Sequence, residues 1–401
     1  MFSNFLLNLR TGDELMKPIL RFKDFDNDWK EIKLSKIASE ISYGMNAASK
    51  EYDGENKYIR ITDIDEATNK YIYKNIVSPD GDLEEKFLVK ENDILFARTG
   101  ASTGKTYLYD KNDGKLYYAG FLIKANIINH NANFIFQQTK LKKYNNWVKI
   151  MSTRSGQPGV NSQEYGSYKF SITIAEEENK ISNFLSLLDK KIELQSKKIE
   201  DLKLFKKGLN KFIFSNCTDE YKVENLIIEY NDKTTENNQY KVLSSTANGI
   251  TFQNEYFNKQ AASNNNTGYK IIPKGFITYR SMSDTGEFHF NIQDITDIGI
   301  VSPAYPVFNI KKNLVNKTYF VYYINENDGF KNEILSTKEG GTRYALSITK
   351  FKTLNILLPK IEEQIKYSKY INVIINKIQI EEKKLEKLVQ FKKGLMQNMF
   401  V

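Results

Sequence analysis

Phe205-Lys206-Lys207-Gly208-Leu209 is written a second time as Phe391-Lys392-Lys393-Gly394-Leu395. Around these pentapeptides, residues 176–214 align without a gap onto 362–400, at an offset of 186. Sixteen of the 39 positions are identical, more than shared helical composition supplies, so the two stretches read as copies of one element. Both are free of proline and rich in Leu, Ile, Lys and Glu, the composition of long helices.

Apolar residues recur at alternating three- and four-residue steps, the seam of a coiled coil. In the first copy they are Ile181, Leu185, Leu188, Ile192, Ile199, Leu202 and Leu209; in the second, Tyr367, Ile371, Ile374, Ile378, Leu385, Leu388 and Leu395. Both seams are interrupted at matching places, Gln195 with Glu381 and Lys206 with Lys392. Polar seam residues fix register. The two helices are therefore expected to pair with each other, antiparallel, as a spacer roughly 50 Å long at about 1.5 Å per residue.

The rest of the chain falls into two similar lengths, 29–175 and 217–360, rich in Tyr, Phe, Ile, Asn and Gly. Both read as short strands with loops. A weaker repeat, offset by 182, links them. Tyr58-Ile59-Arg60-Ile61-Thr62 matches Tyr240-Lys241-Val242-Leu243-Ser244, and Asp93 to Thr99 matches Gly275 to Ser281. The second pair places Arg98-Thr99 opposite Arg280-Ser281, an arginine and a small hydroxyl residue at the end of an apolar strand. Each segment closes with a glycine loop, Ser155 to Asn161 and Glu339 to Ala345, then a short strand, Phe170 to Ile174 and Leu354 to Leu358. Glutamates come next, 176–178 and 362–363, which suit a positive helix N-terminus. The expected division is an N-terminal segment 1–28, a domain 29–175, a helix 176–216, a domain 217–360 and a helix 361–401. The fold class is α+β.

The net charge of +9 is compatible with an anionic partner but does not select one. One cysteine, Cys217, excludes an intrachain disulfide and fits a reducing compartment. Cys217, His130 and His289 do not make a structural zinc site. No apolar stretch approaches the roughly 18 residues of a membrane span, and the start lacks a signal leader, so a cytoplasmic protein with no membrane partner is expected.

Two stretches imitate catalytic motifs. Gly100-Ala101-Ser102-Thr103-Gly104-Lys105-Thr106 has three residues between its glycines, where a phosphate-cradling loop has four. The next residues, Tyr107 to Tyr118, alternate like a hairpin around Asp113-Gly114 instead of opening a helix. Pro79-Asp80 with Glu84-Glu85-Lys86 spells a nuclease metal site, but its surroundings read as a solvated loop.

Gly156-Gln157-Pro158-Gly159-Val160-Asn161, the strand and acidic start after it, the Phe-Lys-Lys-Gly-Leu helix end and Asp93 to Gly100 together resemble one family. It is the DNA-specificity subunit of type I restriction–modification systems, and the resemblance covers about residues 17–401. It implies two variable target-recognition domains alternating with two similar helices that pair antiparallel and dock modification subunits. The second glycine loop, Gly340-Gly341-Thr342-Arg343-Tyr344, departs from the Gln-Pro-Gly form.

On that reading the partners are double-stranded DNA and two modification (methyltransferase) subunits, with or without restriction subunits. S-adenosylmethionine, ATP and magnesium sites belong on those partners and none on this chain, which has no catalytic residues. Base edges are read by side chains, and phosphates attract cations. The first domain offers Ser42, Tyr43, Arg60, Thr62, Arg98, Thr99, Ser102, Thr103 and Lys105, with Arg154 and Gln157 in its glycine loop. The second offers Ser244, Ser245, Arg280, Ser281, Ser283 and Asp284, with Arg343 and Tyr344. Because the loops differ, the expected target is asymmetric and bipartite. The rival classes are a stand-alone nuclease or NTPase, and a protein-binding coiled-coil scaffold.

Overall fold

The computed structural model describes residues 5–7, 17–153, 158–253, 265–336 and 344–401. It divides into two compact units, Met1–Gln195 with Lys384–Val401, and Ser196–Lys383. Both repeated stretches are helical: one helix spans Ala175–Ser215 and the other Ile361–Met399. At about 1.5 Å per residue the first is roughly 60 Å long.

Each unit is built on the same four-stranded antiparallel sheet. In the first unit the strands lie in the order Ala38–Tyr43, Leu122–Ile127, Asp93–Ala97, Thr106–Leu108. In the second the order is Ile227–Glu229, Val307–Ile310, Ile277–Thr278, Asn291–Ile292. Both sheets run first, fourth, second, third in chain order, so the weak sequence repeat is a repeat of topology. The strand before each long helix returns to the strand that opens its domain. Lys169–Ile172 pairs with Lys30–Lys33, and Asn355–Leu358 with Asp219–Lys222.

Short helices cover each sheet, Ala132–Gln138 and Lys142–Ser152 in one unit, Lys317–Glu326 and Asp328–Ser336 in the other. Their aromatic content reads as strand in the sequence; the caps decide otherwise. Asn131 accepts a hydrogen bond from the Phe134 amide, and Asn316 accepts one from the Tyr319 amide. The backbone amides of the same two asparagines donate to Glu178 (3.0 Å) and Gln364 (2.9 Å), so each cap is tied to the first turn of the long helix.

The cores explain why each long helix carries its seam. The first unit buries Ile181, Leu185 and Leu188 from the start of one helix, with Leu395, Met396 and Met399 from the end of the other. Phe400 packs edge-on to Trp29 at 6.1 Å and tilted against Phe134 at 5.3 Å. The second unit buries Ile213 from the end of the first helix, with Tyr367 and Ile371 from the start of the second. The remaining seam residues are buried (Ile199, Ile378) or half-buried (Ile192, Leu202, Leu209, Ile374, Leu385, Leu388). Polar positions pair across the helices: Lys392 with Asp189 in the first unit, Lys198 with Glu381 at 3.0 Å in the second. Within each unit the two helical segments run antiparallel.

The acidic helix start does more than complement the helix dipole. Glu177 is fully buried and accepts two 2.7 Å hydrogen bonds from Arg21, one from Trp29 Nε1 and one from the Thr173 hydroxyl. Glu363, its equivalent, is exposed. The expected hairpin around Asp113-Gly114 does not form. Thr106–Leu108 pairs with Asp93–Ala97, whereas Leu116–Tyr118 pairs in parallel with Lys57–Ile59. Buried Asp113 receives the hydroxyls of Tyr73 and Tyr107, which holds the intervening turn and sends the chain to a different strand.

Removing one partner of a buried ion pair leaves the other charge stranded. Arg21→Ala is expected to lower stability by about 3–5 kcal/mol, seen as an earlier denaturant midpoint. The apolar pair Arg21→Met with Glu177→Leu should recover most of that loss.

Candidate nucleic-acid interface

The strand Asp93–Ala97 is buried along its whole length, and the chain emerges from it at Arg98, which is half-buried. Arg98 Nε donates to the Gly120 carbonyl at 3.1 Å. The guanidinium lies over the Tyr43 ring at 4.9 Å and the Phe121 ring at 5.9 Å, both cation–π contacts. Burial opposes ionisation of the Tyr43 hydroxyl, but a hydrogen bond from Ser162 and the charge of Arg98 hold its pKa below the usual phenol value.

The chain leaving the glycine loop runs beside Arg98. The Val160 amide donates to the Arg98 carbonyl at 2.9 Å, and the Gly100 amide to the Pro158 carbonyl at 3.0 Å. Gly44 seals the far side: a Cβ there would stand 2.3 Å from the Ala119 carbonyl oxygen. The result is a concave surface of about 740 Å³ lined by Tyr43, Arg60, Thr62, Arg98, Thr99, Ser102 and Phe121, among others. Six of the first domain's expected contact residues thus meet in one place. Arg60 enters it already paired with Asp63 at 2.8 Å.

Three others do not join them. Lys105 carries its ammonium to the Ile64 carbonyl (3.1 Å) and Glu66 (3.5 Å), with its side chain only 12% exposed. Thr103 donates to the Gly100 carbonyl at 2.7 Å, and Ser42 pairs with the Tyr118 hydroxyl at 3.0 Å. Arg154 and Gln157 lie outside the described residues. Phe121 was missed by sequence reasoning, because an apolar residue at a strand entrance reads as core. Its exposure is 59%.

The second unit repeats the placement with different chemistry. Arg280 is exposed at the end of Ile277–Thr278. Met282–Ser283 pairs with Tyr344–Ala345, so the exit of the second glycine loop also runs beside the arginine strand, despite its departure from Gln-Pro-Gly. The Ser281 carbonyl accepts from Leu346 at 2.8 Å, and Ser283 caps the Thr285 and Gly286 amides. Asp284 lies in that same turn. Ser244 and Ser245 are buried; Ser245 bonds to the Thr278 and His289 carbonyls and to Asn291. Arg343 lies outside the described residues.

The near-miss motifs have other geometry. Gly100–Ser102 is a short 3-10 turn that leads into the strand Thr106–Leu108. Gly104, at φ +88°, sits where an added Cβ would meet Val148 at 2.5 Å. Val77–Asp80 is a strand and not a loop, with Asp80 facing Lys50 at 3.9 Å and Glu84 held by Lys86 at 2.7 Å. Among the described residues no three His, Cys, Asp or Glu gather as a metal site, and no helix is long and apolar enough to cross a membrane.

The family described as "Type I restriction modification DNA specificity domain" matches residues 26–204 and again 221–390. The chain belongs to this family. The role of such a specificity subunit is DNA sequence recognition, and it is non-catalytic. The type I restriction enzyme MjaVIII specificity subunit of Methanocaldococcus jannaschii is 22% identical, over 92% of this chain and 91% of the relative. The fold matches the crystal structure of an S subunit from M. genitalium with a TM-score of 0.62 at 15% identity, covering 96% of this chain and 99% of that one. It also matches a chain from a structure of type I system assembly, with a TM-score of 0.50 at 13% identity, covering 93% and 97%.

Gly44→Ala is expected to force the Ala119 turn away and displace Arg98 from its aromatic support. The cost should be about 1–3 kcal/mol, with weakened DNA binding in the assembled complex, measured by thermal melting and by titration with target duplex.

Proposed function

We propose that this specificity subunit reads an asymmetric, two-part target in double-stranded DNA. Target-recognition domains 29–175 and 217–360 each contact a few base pairs. The helices 176–216 and 361–401 act as the spacer that fixes the gap, and 1–28 is an N-terminal segment ahead of the first domain. The observation that carries this reading is one sheet topology ending twice in an arginine edge, with different side chains around each arginine. Two different edges read two different half-sites.

In the first domain the reading group is Tyr43, Arg60, Thr62, Arg98, Thr99 and Ser102, with Arg154 and Gln157 from the glycine loop. In the second it is Arg280, Ser281, Ser283, Asp284 and Tyr344, with Arg343. Ser42, Thr103, Lys105, Ser244 and Ser245 hold the frame. Methyl transfer with S-adenosylmethionine, and ATP- and magnesium-dependent cleavage where a restriction subunit is present, belong to partner subunits in the cytoplasm. Methylation mapping in cells carrying the chain with its modification partner is expected to give a two-part motif with a fixed gap. Exchanging 29–175 for another such domain should change one half only, and inserting a heptad within 185–205 should change the gap or abolish assembly. Cutting or ATP hydrolysis by the purified chain alone would overturn the proposal.

Two modification subunits are proposed to dock on the helix pair, one at each Phe-Lys-Lys-Gly-Leu copy. Gly208 and Gly394 support this. Each is helical, and nothing within 4 Å would meet an added Cβ, so neither makes room for this chain. A mid-helix glycine costs roughly 0.5–1 kcal/mol relative to alanine. Gly208→Ala is expected to raise the melting temperature of the isolated chain while weakening assembly with the modification subunit, measured by sedimentation.

A further inference from the structure

We propose that Phe121 is a base-reading residue, its ring packed on the 5-methyl group of a thymine that neighbours a guanine contacted by Arg98. The inference rests on the reading of the first domain as a DNA reader and assigns the chemistry of part of its half-site.

Phe121 is 59% exposed, yet its turn is held on every side. The Gly120 amide donates to the Met45 carbonyl at 2.8 Å, the Leu122 amide to the Ala119 carbonyl at 2.8 Å, and the Arg98 amide to the Phe121 carbonyl at 3.0 Å. A rigid turn that holds an aromatic ring in solvent, beside a cation, presents a preformed contact. Arg98 is equally constrained: Nε is committed to the Gly120 carbonyl, and the guanidinium carbon lies over the Tyr43 ring. With Nε committed, the remaining N–H donors of the guanidinium form a planar pair that suits the O6 and N7 of guanine. The apolar group of the major groove is the thymine methyl. The 5.9 Å between the Phe121 ring and the guanidinium fits neighbouring bases, which step by about 3.4 Å. The second domain does not repeat the arrangement: Arg280 is exposed.

The test uses the assembled complex and the mapped target. In the half read by the first domain, each thymine is replaced in turn by deoxyuridine, which lacks only the methyl, and each guanine by 7-deazaguanine, which lacks N7. One thymine is expected at which loss of the methyl weakens binding roughly fourfold. An adjacent guanine should show a loss of about tenfold with 7-deazaguanine. In the Phe121→Ala complex the uracil penalty should vanish while the 7-deazaguanine penalty persists, and Arg98→Lys should remove the latter. Substitutions in the other half should act alike on Phe121→Ala and wild type. A flat uracil scan, or a uracil penalty unchanged in Phe121→Ala, would overturn this inference and leave the two-part reading standing. Absence of any two-part target would overturn both.

Discussion

Each domain core is closed by two helix ends that come from far apart in the chain. The first domain takes the start of one long helix and the end of the other; the second takes the converse pair. Burial of these apolar ends is the constraint on which the rest depends. Without Met399 and Phe400 the first core would lose the cover over Trp29 and Phe134, and without Ile213 and Tyr367 the second would lose its own. Hydrophobic contact has no direction of its own. The ion pairs Lys392–Asp189 and Lys198–Glu381 add the register that burial leaves unspecified.

On that support the two sheets keep one topology and vary at one edge. The buried strand ahead of each arginine is framework, and the residues after it are where the domains part company. Arg98 rests on two rings and a carbonyl, whereas Arg280 stands in solvent. A protein that must recognise different sequences with one scaffold gains from this separation, because edge side chains can change without disturbing the core. The same separation accounts for the imitation of a phosphate loop at Gly100–Thr106. Gly104 serves a tight turn against Val148, and Lys105 is tied to Ile64 and Glu66.

Repeats and seams were legible because they are periodic, and periodicity survives without knowledge of contacts. The short helices were not, because Phe, Val and Tyr in Lys317–Glu326 favour strands locally. Their burial against the sheet, and the Asn316 cap, override that preference. The Arg21–Glu177 pair spans 156 residues, and no local pattern announces a partner at that distance. Lys105 and Phe121 exchanged expected roles for a related reason. A charged residue reads as exposed and an aromatic one as buried until the chain's path fixes where each points.

The sequence by itself determined the doubled architecture, the two long helices and their seam, and the arginine at the end of matched strands, since all of these are repeats along the chain. Only the tertiary structure decided which of the expected contact residues share a surface. It gathered Tyr43, Arg60, Thr62, Arg98, Thr99 and Ser102 and turned Lys105, Ser42 and Thr103 into framework. The physical reason is that exposure and proximity are properties of packed surfaces. A turn held by three backbone hydrogen bonds fixes the direction of Phe121, and nothing in its neighbours along the chain does.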